Sequence, residues 1–140
     1  IPSWIPSLES TGEYFFGSTP YAYSVPTDAN EQLFQVAQDE FGSLPHYSFG
    51  FSVIQFDIYR QAIERVGEID QEAMAEDWRS NTFSSVTGDL EFENNYIGDN
   101  GPMFITQVQD EGLPIVYPSD SKTSDPVAPL PEEWPNPDWP

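Results

Sequence analysis

The sequence predicts an α/β fold with helices in the middle of the chain and a β-hairpin near its end. Apolar residues recur at helical spacing from Asp28 to Phe41 and from Tyr47 to Val66, which indicates two helices. Two strand-like runs, Met103–Gln109 and Pro114–Tyr117, flank a turn around Asp110–Gly112, as in a hairpin. The predicted strands are too few for a doubly wound sheet, so we expect part of the fold to lie outside this chain.

The first elements are a short extended run and a capped helix. We expect the aromatic run Glu13–Phe16 to be extended, to stop at Gly17 and to continue as a loop. Asp28 then occupies the predicted N-cap position, three residues before Glu31, and Gly42 is the predicted stop. The apolar face of this helix consists of Leu33, Phe34, Val36, Ala37 and Phe41.

The second predicted helix, Tyr47–Val66, is the longest element. Its first half is apolar on nearly all sides, so we expect that half to be buried between other elements, and Gly67 ends the helix. Asp70 is expected to cap a short third helix that runs to Trp78. Residues 83–93 are expected to return as irregular chain and then as a strand, before the turn 94–102 leads into the hairpin.

From Ser119 onward the composition changes to Pro, Asp, Ser and Glu. Prolines at that density prevent helices and sheet ladders, so residues 119–140 are predicted to form an extended tail with polyproline character. Trp134 and Trp139 suggest two alternatives. The tail is either a strap that lies over its own protein or a docking motif for a partner, and the strap is the commoner use of aromatic residues on tails.

The charge of the chain is the strongest signal in its composition. The chain has 24 Asp and Glu residues against 4 Lys and Arg residues, a formal net charge of -20 on 140 residues. Self-repulsion of that size destabilises a compact state unless salt screens it, and in molar salt the Debye length falls to about 3 Å. We therefore expect a salt-adapted protein from a halophilic, archaeal source. A wholly disordered acidic chain is disfavoured by 15% aromatic and 38% hydrophobic residues.

Several classes of function are disfavoured by the same composition. Nucleic acids and anionic membrane surfaces would repel the chain, and no basic stripe compensates. No run of about 20 apolar residues is present that could span a bilayer. The absence of cysteine excludes disulfides and thiolate nucleophiles within these residues. The opening residues have no signal-peptide pattern and look like an interior segment, so we expect the missing part to precede Ile1.

Three segments carry a family resemblance: Ser85–Asn95 with the order Ser-Val-Thr-Gly-Asp-Leu-Glu-Phe-Glu-Asn-Asn, then Met103–Gln109, and finally Ile115–Pro118. In that order they resemble the closing part of the amino-acid and amide binding proteins of ABC transporters, which have the type I periplasmic-binding-protein fold. The resemblance covers most of residues 14–117. Asp89 departs from it, because the family usually has proline there, and the loop 94–102 is longer than usual.

The resemblance implies a partial two-lobed fold. Residues 1–16 would finish one lobe, and residues 17–25 would be a hinge crossing. Residues 26–93 would form the helical part of the other lobe, and residues 94–118 would cross back as the hairpin. The tail, residues 119–140, lies beyond the resemblance.

Four residues are candidates for ligand contact. The resemblance implies that His46 and Tyr47 face the ligand cleft, since they begin the second helix; alternatively Tyr47 packs in the core and His46 caps the helix. Tyr21 and Tyr23 alternate in the predicted hinge loop, where each would offer a ring face and a hydroxyl; alternatively they stiffen the loop. Loops at lobe junctions are common places for ligand pockets.

No catalytic or metal-ligating set is evident. Asp89, Glu91 and Glu93 alternate along one predicted strand, and three more acids occupy turns, Asp99, Asp110 and Glu111. In so acidic a chain such neighbours are expected by chance, so the prediction is a solvated face rather than a glycosidase pair or a calcium site. His46 has no second histidine or cysteine for a metal. The turn Gly98–Gly101 lacks the lysine and the following helix of a phosphate loop.

The resemblance implies an extracytoplasmic solute-binding component of an ABC importer, which takes an amino acid, an amide or urea and needs neither cofactor nor catalysis. Its partners would be that solute, a membrane permease and the remainder of a parent chain. Two alternatives stay open. One is a surface or structural protein that assembles through its Pro-Trp tail, and the other is an acid-pair hydrolase.

Overall fold

A computed structural model describes residues 12–93, 96–97, 101, 103–110 and 112–132. The elements in chain order are β1 (Phe16–Thr19), α1 (Asp28–Phe41), α2 (Tyr47–Val66), α3 (Gln71–Ser80), β2 (Phe83–Ser85), β3 (Gly88–Leu90), β4 (Phe92–Glu93), β5 (Tyr96–Ile97), β6 (Phe104–Gln107), β7 (Ile115–Tyr117) and a 3-10 turn, Ser119–Ser121. The α/β class is therefore confirmed. The expected roles of residues 1–11 and of Trp134 and Trp139 fall outside the described residues.

Helix α1 has the predicted extent, but its N-cap is Thr27 rather than Asp28. The Thr27 hydroxyl oxygen accepts a hydrogen bond from the Asn30 backbone N–H at 3.1 Å and donates to the Val86 carbonyl at 2.6 Å. One side chain thus satisfies a free N–H of the first turn and ties the helix to the β2–β3 turn. Gly42 ends the helix in the left-handed conformation, as predicted.

Helix α2 begins and ends where the sequence predicts, and Gly67 closes it with a positive φ. Its buried stripe consists of Gly50, Ile54, Ile58 and Ala62. The expectation that its first half is buried all round is wrong. The Tyr47 and Phe56 side chains are 54% and 77% exposed, because among the described residues α2 is covered on one side only, mainly by α3 and β2.

Helix α3 confirms Asp70 as its N-cap, since that carboxylate accepts from the Ala73 backbone N–H at 2.8 Å. The helix runs two residues beyond the predicted end, to Ser80. Arg65 joins α2 to α3 through Asp77, with 2.9 Å between Nε and Oδ1, and its guanidinium lies 4.3 Å from the centre of the Phe83 ring. The Asp77 carboxylate is mostly buried and the Arg65 cation lies on an aromatic ring, so this pair links the two helices at a defined point.

The main sheet is antiparallel, in the order β1-β6-β7, which confirms the predicted hairpin. The expectation for Glu13–Phe16 and Gly17 is wrong, since the strand begins at Phe16 and continues through Gly17 to Thr19. Tyr14 has a φ of 66°, which breaks the extended conformation before the strand. Gly17 faces Thr106 of β6 in regular ladder register, so it does not stop the strand.

Residues 83–93 contain a second hairpin that the sequence did not predict. β2 pairs with β3 in antiparallel register, and Gly88 has a φ of 106° at the end of the turn between them. β4 then pairs with β5 as a short two-stranded ladder. The connection 94–102 is therefore not all turn.

Two clusters of buried residues flank the loop after β1. The larger one joins α2, α3 and the β2–β3 hairpin, and the smaller one lies against β6 and β7. The loop contributes to both clusters, because Tyr21 belongs to the first and Ala22 and Val25 belong to the second. The packing of this loop therefore connects the helical part to the sheet.

The tail follows the sheet as far as it is described. The Gln107 side chain, 0% exposed, donates to the Val127 carbonyl at 3.2 Å and accepts from the Val127 N–H at 2.8 Å. Gln109 donates to the Asp125 carbonyl at 2.8 Å. This part of the tail is a strap over its own protein. No helix among the described residues combines the length and the apolar character needed to cross a membrane.

Candidate functional site

A cavity of about 760 Å³ opens between β1, the loop that follows it and the start of α2. Its volume lies in the range of small-molecule pockets, which is roughly 300–1,000 Å³. All four residues predicted for ligand contact lie on its wall: Tyr21, Tyr23, His46 and Tyr47. The structure therefore brings together two sequence segments that were singled out for separate reasons.

Tyr21 is a fixed part of the wall. It is 1% exposed, and its hydroxyl donates to the Asn30 side-chain oxygen at 2.7 Å. The Asn30 amide in turn donates to the carbonyls of Tyr23 and Val25, at 2.9 and 2.8 Å. Burial raises the pKa of Tyr21 to about 12. Its hydroxyl is thus committed to the loop.

The Tyr21 ring lies against helix α2 at Gly50. A Cβ atom at residue 50 would be 2.3 Å from that ring, closer than any real carbon contact. Glycine is required at this position for the close approach of a ring to a helix backbone. The contact places the loop directly over the first turns of α2.

Tyr23 holds the loop to the turn between β6 and β7. Its hydroxyl accepts a hydrogen bond from the Leu113 N–H at 3.1 Å, and Ser24 donates to the Leu113 carbonyl at 3.3 Å. The Tyr23 ring is half-buried and packs against the larger core cluster. The backbone N–H and C=O of Leu113 are therefore both satisfied from the loop, which supports the stiffening role as well as a place on the cavity wall.

His46 and Tyr47 form the exposed edge of the cavity. His46 is the N-cap of α2, since its Nδ1 accepts from the Ser48 N–H at 3.4 Å. Its ring lies 4.4 Å from the Tyr47 ring, measured between centroids. The capping alternative for His46 is thus compatible with a place on the wall. The alternative in which Tyr47 packs in the core is wrong, because Tyr47 is 54% exposed.

Sequence reasoning missed the other contributors to the wall. The cavity is also lined by Phe15, Phe16, Gly17, Ser18, Thr19, Pro20, Ala22, Leu44, Pro45, Thr106, Val108 and Leu113. The pairing of β1 with β6 brings the wall residues of β1 next to Thr106. The paired residues lie about 90 positions apart in the sequence. The run Leu44–Pro45 immediately before His46 was a local signal that could have extended the predicted site.

The acidic strand residues lie away from this cavity. Asp89 and Glu91 are exposed, and they accept hydrogen bonds from Ser84 at 2.9 Å and Thr82 at 3.0 Å. Glu93 is also exposed. Across the described ranges, no three His, Cys, Asp or Glu side chains are grouped so that they could hold a metal ion.

The comparisons with known proteins define the class of protein. A family model described as "Periplasmic binding protein" matches residues 2–113. The chain therefore belongs to the periplasmic binding protein family. Sequence comparison with curated proteins gives no match.

Solved structures share the fold. The chain is similar to an amino acid ABC transporter substrate-binding protein from Pseudomonas fluorescens (TM-score 0.68, 18% identity, 84% of this chain). It also resembles a leucine-, isoleucine-, valine-, threonine- and alanine-binding protein from Brucella ovis (0.66, 16%, 90%). A third is an ABC transporter solute-binding protein from Rhodopseudomonas palustris in complex with benzoate (0.63, 10%, 90%). The chain spans 35%, 36% and 36% of those three chains, about a third of their length.

Proposed function

We propose that this chain is part of an extracytoplasmic solute-binding protein of an ABC importer, which binds an amino acid or an amide-type molecule without catalysis. The observation that carries the proposal is the cavity that joins Tyr21 and Tyr23 to His46 and Tyr47. Because the chain belongs to the periplasmic binding protein family, we interpret this cavity as part of a solute-binding site. The permease, the location outside the cytoplasmic membrane and the remainder of a parent chain are parts of the same proposal.

The four residues would have different roles at this site. Tyr47 and His46 are exposed, and the Tyr47 hydroxyl makes no hydrogen bond within the described residues, so it is free to contact a solute. Tyr21 and Tyr23 have hydroxyls that already bond to the protein. They would shape the wall and hold it in place rather than recognise polar groups of the solute.

The proposed division into lobes has support from the packing. Residues 1–16 and 94–118 would belong to one lobe, residues 26–93 to the other, and residues 17–25 to a crossing. The two core clusters follow that division, with the helices in one and β6 and β7 in the other, although the first residues of the crossing lie within β1. Solute binding would favour a closed arrangement of the lobes, which the permease would recognise.

A second proposal, assembly through the tail, has less support. The described part of the tail uses its backbone groups at Asp125 and Val127 on Gln109 and Gln107 of the same chain. A tail occupied in this way is less available to a partner. Removal of the residues after Ser119 would distinguish the two proposals. If the tail serves assembly, the truncated protein should lose its oligomers and still bind solute.

The test is a ligand screen on the natural protein that contains this sequence, in molar KCl. A solute that binds only the folded state at 100 times its Kd adds about 2.7 kcal/mol of stability, which raises Tm by several degrees. We expect such a rise with at least one amino acid, amide or urea. The absence of any rise across amino acids, amides, urea and small carboxylates, in a cooperatively folded sample, would overturn the proposal.

A further inference from the structure

The wall of the cavity carries no charged side chain of the Asp, Glu, Lys or Arg type among the described residues, although such residues are 20% of the sequence. In a chain with a net charge of -20, a neutral surface of this extent is unusual. A charged group of a ligand would have no opposite charge to pair with on this wall. The wall therefore suits an uncharged part of a ligand.

Aromatic rings are concentrated on the same surface. The Phe and Tyr rings that are exposed or partly exposed on it belong to Phe15, Phe16, Tyr23 and Tyr47, with the imidazole of His46 beside them. The Tyr21 ring is 1% exposed and only backs this surface. Only 15% of the whole sequence is Phe, Trp or Tyr. Phe16 and Tyr47 are each about half exposed, so their rings present apolar area that nothing among the described residues covers completely.

Most hydroxyl groups on the wall are already used by the protein. Thr19 donates to the Tyr21 carbonyl at 2.7 Å, and Thr106 donates to the Gly17 carbonyl at 3.4 Å. The Tyr21 hydroxyl donates to Asn30. Within the described residues, the Tyr47 hydroxyl, the Ser18 hydroxyl and the His46 Nε2 remain for a ligand, and the Tyr23 hydroxyl, which only accepts from Leu113, keeps its donor proton. This wall therefore offers many ring surfaces and few polar contacts.

We propose that the cavity takes the aromatic ring of a small ligand, with the charged end of that ligand directed away from the wall described above. The inference rests on the proposed function, since it names the solute class for the same cavity. An aromatic amino acid and an aromatic carboxylate share the required ring. They differ in the charged end of the molecule. Because the wall does not contact that end, only the measured affinities for the two kinds of ligand can distinguish them.

A ring is favoured over an aliphatic side chain for a specific reason. Aromatic pairs in edge-to-face or offset arrangements gain binding energy beyond that of the buried area, because the ring edge is positive and the ring face negative. The gain corresponds to roughly two- to tenfold in affinity for each good pair. With several rings on one wall, we expect phenylalanine or benzoate to bind at least about tenfold more tightly than leucine.

The test is calorimetric titration of the natural protein, in molar KCl, with phenylalanine, benzoate, leucine and alanine. Tyr47→Leu removes one exposed ring from the wall, and Tyr47→Phe keeps the ring without the hydroxyl. Phe56→Leu is the matched control, because Phe56 lies on the same helix, is 77% exposed and does not line the cavity. Circular dichroism establishes that each variant is folded.

We expect Tyr47→Leu to weaken the ring-bearing ligand about tenfold, Tyr47→Phe to weaken it by less than threefold, and Phe56→Leu to change nothing. Tighter binding of phenylalanine than benzoate identifies an amino-acid ligand, and the reverse identifies a carboxylate. Leucine binding as tightly as either ring would overturn the inference and leave the proposed function standing. If none of these solutes bound and the wider screen was also negative, both this inference and the proposed function would fail.

Discussion

The hydroxyl of Tyr23 accepts a hydrogen bond from the backbone N–H of Leu113, 90 residues further along the chain, at 3.1 Å. The neighbouring Ser24 hydroxyl donates to the carbonyl of the same Leu113 at 3.3 Å. The loop after β1 and the turn between β6 and β7 are therefore joined through one residue. Both segments line the cavity, so this pair of contacts sets the position of one wall relative to another.

Tyr23→Phe is expected to destabilise the protein by about 1 kcal/mol, because it leaves the half-buried Leu113 N–H without its acceptor. The measurement is denaturant unfolding in molar KCl. Tyr59→Phe is the matched control, since the Tyr59 hydroxyl has no hydrogen bond among the described residues and its side chain is 51% exposed. Equal stability of the two variants would show that the Tyr23 contact contributes nothing.

Gly50→Ala is expected to destabilise the protein by about 1–2 kcal/mol, although alanine is the better helix former. The helix gains about 1 kcal/mol from the change, but the added methyl would lie 2.3 Å from the Tyr21 ring, and overpacking of that kind costs about 1–3 kcal/mol or more. Gly17→Ala is the control, because its Cβ would meet only Thr106 Oγ1, at 3.5 Å. A stabilised Gly50→Ala variant would contradict the close contact.

The buried Tyr21 hydroxyl predicts a loss of stability in alkali. Its pKa is raised from 10.0 to about 12 by burial, so the unfolded chain releases this proton first as pH rises. Stability from Tyr21 is complete below pH 10 and declines between pH 10 and about 12, by roughly 2 kcal/mol in total.

The measurement is the free energy of unfolding at several pH values across that window. Tyr21→Phe should have a flatter dependence on pH than the unmodified protein, whereas Tyr59→Phe should leave the dependence unchanged. Identical slopes for the unmodified protein and Tyr21→Phe would show that Tyr21 titrates normally.

The hydrogen bonds between Gln107 and Val127 predict that the Gln107 side chain holds the tail against the sheet. Gln107→Leu removes hydrogen bonds to Val127 and to the Tyr14 carbonyl, the latter at 3.2 Å, and leaves backbone groups unpaired. We expect a loss of about 2 kcal/mol and faster proteolytic cleavage within residues 122–132. Gln35→Leu is the control, because Gln35 is exposed and, in the described part of the chain, its side chain bonds only to Asp39. Unchanged cleavage would mean that the strap is held by other contacts.

The net charge of the chain predicts that its thermal stability depends on salt concentration. Each of the four basic residues already pairs with at least one acid, as in Arg60 with Glu64 and Lys122 with Asp125, so no further cation is available to offset the net charge of -20. As salt is lowered from molar KCl to dilute buffer, Tm should fall by tens of degrees, far enough that the protein is unfolded at room temperature in dilute buffer. A cooperative melt at the same temperature in dilute buffer would contradict salt adaptation.

Local signals in the sequence were sufficient for the helices. Gly42 and Gly67 end α1 and α2 because both adopt left-handed conformations, and Asp70 caps α3 through its own carboxylate. Thr27 was missed as a cap because Asp28 is an equally good capping residue, and the choice depended on the contact of Thr27 with Val86. Caps one residue apart are distinguished by tertiary contacts, which periodicity does not contain.

Long-range pairing determined what the sequence could not predict. The stretch Phe16–Thr19 is a strand because it pairs with β6, and Gly17 continues that ladder opposite Thr106. The exposure of Phe56 was mispredicted because apolar composition does not say which elements cover a helix. For the cavity, the four predicted residues came from local features and a family resemblance, whereas Phe16, Thr106 and Leu113 joined it through the sheet.

The central claim is that solute binds in the cavity between the loop after β1 and the start of α2. The most direct measurement is the affinity of the natural protein, in molar KCl, for the solute that the ligand screen selects, compared between Tyr47→Ala and Phe56→Ala. The account predicts at least a tenfold loss for Tyr47→Ala and no change for Phe56→Ala, at equal folded fraction. Unchanged affinity in Tyr47→Ala would place the solute elsewhere and contradict the account.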